Sequence, residues 1–249
     1  EALAETDRNW ATFVHLIDPV LGVPIAQRDM YLAQGLRPTM LLQPGERLFN
    51  HYRLRVPNTA VSPADLQLNV GLYDFATCPA CERLPITQGE GNTADNAATL
   101  AQISLATAEG ELPNPTAIRF EDAFELVGYE VAPRRVATGA PLEVTLYWRA
   151  QQDIDTDYTY FAQLVDAQTN RWAALDLPLP TSGWAAGEVQ PVQMSLPVRD
   201  DAVADVYPLR VGSYSRTEDG GVDNLKRVTE DGRLTDDFIN LTQIRIVGE

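Results

Sequence analysis

Leu142-Glu-Val-Thr-Leu-Tyr-Trp-Arg-Ala150 alternates without a break. Leu142, Val144, Leu146 and Trp148 fall on one side, and Glu143, Thr145, Tyr147 and Arg149 on the other. A period of two is the pattern of a β-strand with one face against a core and one against water. Outward from this stretch the same signature recurs in short runs. They are Trp10–Asp18 with Pro24–Asp29 as its hairpin partner, Leu48–Val56, Leu66–Leu72, Leu100–Leu105, Ala117–Phe120, Phe124–Val131 and Phe238–Val247. Seventeen prolines and sixteen glycines punctuate the runs, and long helical periods are missing. The pattern predicts an all-β chain of antiparallel, immunoglobulin-like sandwiches. Leu126, Leu142, Val144, Leu146, Trp148, Phe161, Leu209 and Val211 are the expected core of the second half.

The chain also repeats itself. Tyr158-Thr-Tyr-Phe-Ala-Gln-Leu-Val-Asp166 matches Trp10-Ala-Thr-Phe-Val-His-Leu-Ile-Asp18, and Ala185-Ala-Gly-Glu188 matches Gln43-Pro-Gly-Glu46. Tyr207-Pro-Leu-Arg-Val-Gly-Ser-Tyr214 matches Leu66-Gln-Leu-Asn-Val-Gly-Leu-Tyr73, and Phe238–Val247 is the counterpart of Leu100–Leu105. Order and spacing agree, as in an internal duplication. Acid, glycine and two prolines meet between Ala108 and Thr116. The expected division is therefore residues 1–108, a linker at 109–116, and residues 117–249. The copies are unequal: the second opens with Gly128-Tyr-Glu-Val and Leu142–Trp148, whereas only the polar stretch of residues 1–8 and Asn9 precede Trp10. A sandwich without its first strands exposes an apolar flank and an open sheet edge. We therefore expect the first copy to be completed by upstream sequence or by another chain. The chain opens on Glu1 rather than Met, as a processed protein or an excised piece would.

Composition narrows the partners. Of 249 residues, 45% are hydrophobic, enough for sizeable cores, and the formal net charge is −16. Such a surface repels phosphate backbones and anionic lipid headgroups, so no nucleic-acid partner is expected. No apolar run approaches the roughly 20 residues of a membrane span. Cys78 and Cys81 are the two cysteines, in Thr77-Cys-Pro-Ala-Cys-Glu82. No helix pattern follows, as a thioredoxin-like pair requires, and no second pair or nearby His completes a zinc site. A small loop disulfide or two loop thiols is the expectation. Residues 88–99 read as a polar loop.

The run Leu126-Val-Gly-Tyr-Glu-Val, then Pro141-Leu-Glu-Val-Thr-Leu-Tyr-Trp-Arg-Ala150, then Tyr160-Phe-Ala-Gln-Leu-Val-Asp166 and Leu209-Arg-Val-Gly-Ser-Tyr214 resembles a bacterial extracytoplasmic β-sandwich domain. Such domains occur singly or in tandem at the C-terminal end of membrane proteins, many of them similar to glycosyltransferase-39-like enzymes of Chloroflexi-type bacteria. Phe13–Asp18, Gln43–Glu46, Val70–Asp74 and Arg83–Pro85 carry the same cassette in the first copy. The resemblance implies a location outside the cytoplasm, tethered through a membrane region not in this sequence. It also implies an accessory rather than catalytic role.

Few individual residues carry the marks of chemistry. His15 lies beside Phe13 and Ile17, but its counterpart Gln163 cannot do acid–base work, and His51 has no neighbouring nucleophile or Gly-x-Ser-x-Gly elbow. Asp18 and Asp166 end equivalent strands, where an Asx-turn uses such a residue. They fall in separate copies, so they do not make a glycosidase pair. We therefore expect no catalytic residues and no enzyme. Sugars stack on exposed aromatic rings, which makes Trp172 and Trp184 the candidates for carbohydrate binding to an envelope glycan. Among the acidic loops, Glu218, Asp219 and Asp223, with two glycines between them, are the best candidate calcium ligands. No other cofactor is expected.

Overall fold

The computed structural model describes residues 1–86, 91–92, 96–107, 109–110 and 112–248. The remainder of the 88–99 loop lies outside them. The chain forms two compact units, one of Glu1–Pro57 and Pro63–Ala106, the other of Asn58–Ser62 and Thr107–Glu249. Both are β structures with antiparallel sheets.

In the first unit, β1 (Trp10–Asp18), β2 (Val23–Tyr31), β3 (Ala64–Asp74), β4 (Gly91–Asn92) and β5 (Ala97–Leu105) form one sheet in the order β2-β1-β3-β5-β4. In the second unit, β6 (Ile118–Phe120), β7 (Phe124–Ala132), β9 (Pro141–Ala150) and β12 (Val189–Pro197) form a four-stranded sheet in the order β12-β9-β7-β6. Facing it are β8 (Arg135–Ala137), β10 (Tyr158–Val165), β11 (Arg171–Leu179), β13 (Val206–Arg216) and β15 (Ile239–Val247), in the order β11-β10-β13-β15-β8. The short β14 (Val222–Asn224) pairs with β13, and β8 runs parallel to β15. Inward residues of both sheets, among them Leu126, Leu142, Val144, Leu146, Trp148, Leu164, Leu209 and Val211, make one continuous core. Trp148 is fully buried, with Phe120 and Tyr160 rings 5.3 and 5.1 Å away.

Phe161 corrects one expectation. It is buried, but period two places it on the opposite side of β10 from Tyr160, Ala162 and Leu164, which enter the core. There its ring lies over Gly212, its cross-strand partner. Phe13 does the same over Gly71 in the first unit. A Cβ on Gly71 would sit 2.2 Å from the Phe13 ring, and one on Gly212 would sit 2.5 Å from Phe161. The glycines leave room for the rings.

The duplication extends to irregularities. The β1–β2 register breaks at Leu16/Ile17 and the β10–β11 register at Leu164/Val165. The β3–β5 register breaks at Leu68/Asn69 and the β13–β15 register at Leu209/Arg210. Thr39 accepts from the Trp10 amide and donates to the Arg8 carbonyl, as Thr181 does with Tyr158 and Thr156. Glu46 accepts from the Gln43 amide as Glu188 does from Ala185. Of the expected linker, Pro113 and Thr116 are bonded along β7, to Tyr129 and Val127, so that end of it is part of the second unit.

Candidate functional site

The two units differ in one layer. Nothing in the first unit, among the described residues, corresponds to β7 and β9. Its sheet therefore has a face with little over it. Leu16, Ala26 and Leu66 form a small core, backed by Ile25, Leu54, Val56, Ala64, Leu68 and Leu105. Beside it Leu100 is 64% exposed and Ile103 41% exposed, whereas Leu241 and Ile244, at the same register positions of β15, are 0% exposed.

Leu48–Val56 is the counterpart of β12. Its residues alternate as expected, with Leu48, Asn50, Tyr52, Leu54 and Val56 half-buried and Phe49, His51, Arg53 and Arg55 exposed. Yet it forms no ladder, and among the described residues its backbone makes no hydrogen bond. This corrects the reading of Leu48–Val56 as a paired strand. The reason is geometric: β12 pairs only with β9, and β9 has no described counterpart here. Between this segment and the sheet runs a groove of about 530 Å³ lined by Val14, Leu16, Tyr52, Leu54, Leu68, Val70, Leu100 and Ile103. The Tyr52 hydroxyl is shut off from solvent with no hydrogen-bond partner among the described residues. A second groove, of about 580 Å³, runs from Glu1 through Trp10 and Leu48 to Leu84. At its rim Arg37 holds the Glu46 carboxyl below its usual range, with the Gln43 amide assisting.

The other candidates are built into structure. His15 Nε2 meets Asp29 Oδ1 at 2.9 Å across the β1–β2 pair, and its ring lies 4.9 Å from that of Phe13. His51 lies on the exposed side of its segment. Asp18 Oδ1 accepts from the Val20 and Leu21 amides, and Asp166 Oδ1 accepts from the Gln168 and Asn170 amides. The Asn170 side chain adds a bond that draws the Asp166 carboxyl below its usual range. Trp184 is half-buried, stacked on Tyr160 at 6.2 Å and edge-on to Phe124 at 5.9 Å. Trp172, also half-buried, packs on the core 6.2 Å from Tyr207, with the Arg199 guanidinium 5.3 Å from its ring. Both indoles are half-buried, packed against the core.

Glu218, Asp219 and Asp223 do not converge. Asp219 is turned to the Thr217 hydroxyl and Gly221 amide, and the exposed Asp223 is on β14. Among the described residues no three His, Cys, Asp or Glu side chains gather to hold a metal. Cys78 and Cys81 are joined in a disulfide just past the helical turn Phe75–Thr77 that follows β3. Asp74 and Thr77 close that turn, Asp74 accepting from the Ala76 amide and Thr77 from the Glu82 amide. Among the described residues no helix is long and apolar enough to cross a membrane.

Neither a protein-family profile nor a curated protein matches the sequence. Among solved structures, the C-terminal domain of Wzt is similar over 53% of this chain and 81% of its own, at 14% identity and a TM-score of 0.38.

Proposed function

We propose that this chain is a non-catalytic, extracytoplasmic accessory region of a membrane-anchored cell-envelope protein, a glycosyltransferase in the reading its sequence resemblance implies. The observation that carries the location is the Cys78–Cys81 disulfide, which uses both cysteines of the chain. Disulfides persist in oxidising compartments and are rare where glutathione and thioredoxin keep thiols reduced. The accessory role is supported by the way the acid–base candidates are used. His15, Asp18 and Asp166 each bond a neighbouring strand or turn in their own unit. We do not propose carbohydrate binding, because both candidate indoles pack against the core.

Fractionation of cells making the full-length parent protein, followed by thiol alkylation with and without reductant, tests the location. The expected result is protein in the envelope fraction whose cysteines react only after reduction. Protein in the cytosolic fraction with both thiols free would overturn it.

A further inference from the structure

The second unit shows what the first unit's open layer would look like if filled, and the first unit keeps the place for it. In the second unit β9 ends at Ala150, whose amide donates to the Glu188 carbonyl and whose carbonyl accepts from the Gly187 amide. In the first unit the same two bonds join Ala2 to Glu46 and Gly45. Ala2 therefore occupies the position of the last residue of β9. From Ala150, β9 runs back antiparallel to β12, with Trp148 opposite Gln190, Leu146 opposite Val192, Val144 opposite Met194 and Leu142 opposite Leu196. The equivalents in the first unit are Leu48, Asn50, Tyr52 and Leu54, which make no ladder.

We infer that Leu48–Val56 is an acceptor strand. Its occupant is a strand of alternating apolar and polar residues joined to Ala2 from the N-terminal side and running antiparallel to Leu48–Val56. Its apolar side fills the groove over Leu16, Leu68, Leu100 and Ile103. What points to a strand joined at Ala2, rather than to a free peptide, is that pair of backbone bonds, which already fixes its last residue in register. Addition of a strand to an unpaired edge draws affinity from main-chain hydrogen bonds and specificity from alternate side-chain pockets. The grooves on this face supply those pockets. Tyr52, whose hydroxyl is enclosed and unpaired, lines one of them.

The test uses the full chain and a variant in which a second copy of Phe124–Arg149 replaces Glu1, so that its last residue leads directly into Ala2. Hydrogen–deuterium exchange is followed over Leu48–Val56. Pro191 and Pro197 lack amide donors and so belong on the outer edge of β12. The matching phase predicts that the amides of Leu48, Asn50, Tyr52 and Leu54 face the added strand. Their exchange should slow about tenfold or more. A control extension carrying L142N, V144N, L146N and W148N in the added copy should leave them as in the starting chain. Unchanged exchange in the extended chain, or equal slowing by the polar control, would overturn the inference. So would a starting chain that already protects this segment and sediments as a dimer, because a second copy would then be the occupant.

Discussion

Leu100 and Leu241 hold the same bulged position on equivalent strands, and one is 64% exposed while the other is 0% exposed. The sheets beneath them share registers, bulges, glycine–phenylalanine pairs and threonine brackets. What differs is the layer above. Burial of a side chain is a property of its neighbours across the core, and two copies of one pattern meet different fates when those neighbours differ.

The sharpest way to break this comparison is a matched pair of truncations. Leu241→Ala should cost the second unit about 2–5 kcal/mol, as truncations in tightly packed cores do. Leu100→Ala should change stability by about 0.5 kcal/mol or less. Urea unfolding followed by hydrogen exchange in each unit measures both, and equal losses would mean that the first unit's face is covered. Alkaline pH gives the next effect. Tyr129 is buried, its hydroxyl donates to the Thr59 carbonyl at 2.7 Å, and burial pushes its phenol up to about 12. Because the folded state favours the protonated phenol, its contribution is intact below pH ~10 and disappears as pH rises to about 12. The second unit should therefore lose about 2–3 kcal/mol over that window. Tyr129→Phe should flatten the loss. Unfolding curves at stepped pH would show it, and an unaltered slope in the variant would remove Tyr129 as the cause.

Gly71→Ala and Gly212→Ala sharpen the comparison by testing a shared feature. Each new Cβ would meet a phenylalanine ring and a backbone carbonyl, from Asn96 at 2.8 Å and from Asp237 at 2.7 Å. Both should cost about 1–3 kcal/mol, and thermal unfolding that tolerates one but not the other would break the equivalence. Losing the disulfide should cost the first unit less than Leu241→Ala costs the second. The disulfide loop spans a sequence separation of 3, so paired Cys78→Ser and Cys81→Ser should cost about 2 kcal/mol or less. Calorimetry should confine that loss to the first unit.

Strand alternation and duplication were legible in the sequence because both are written in local order and spacing. The alternation of Leu48–Val56 reports which side chains face inward, and the structure agrees; whether its backbone is paired depends on a distant strand and is not written there. The face that Phe161 takes is illegible for a related reason. Its apolar character announces burial, but the choice of face is set by Tyr160, Ala162 and Leu164 on the other phase and by the hole at Gly212. Trp172 and Trp184 sit by turns, and their partial cover comes from long-range packing onto Tyr207 and Tyr160, which local order does not write. The role of Ala2 had no signal at all beyond its spacing from Trp10, which equals that of Ala150 from Tyr158.

The outward residues of Leu48–Val56 bear on how solutions of this protein behave. An unpaired edge invites molecules to zip together, and Arg53 and Arg55 stand exposed on this one. Antiparallel meeting of two such edges centred on Arg53 or Leu54 sets arginine against arginine, and a net charge of −16 keeps whole molecules apart. Both barriers are electrostatic, so concentrated salt weakens them together. Dilute buffer is thus the milieu in which this edge stays dispersed.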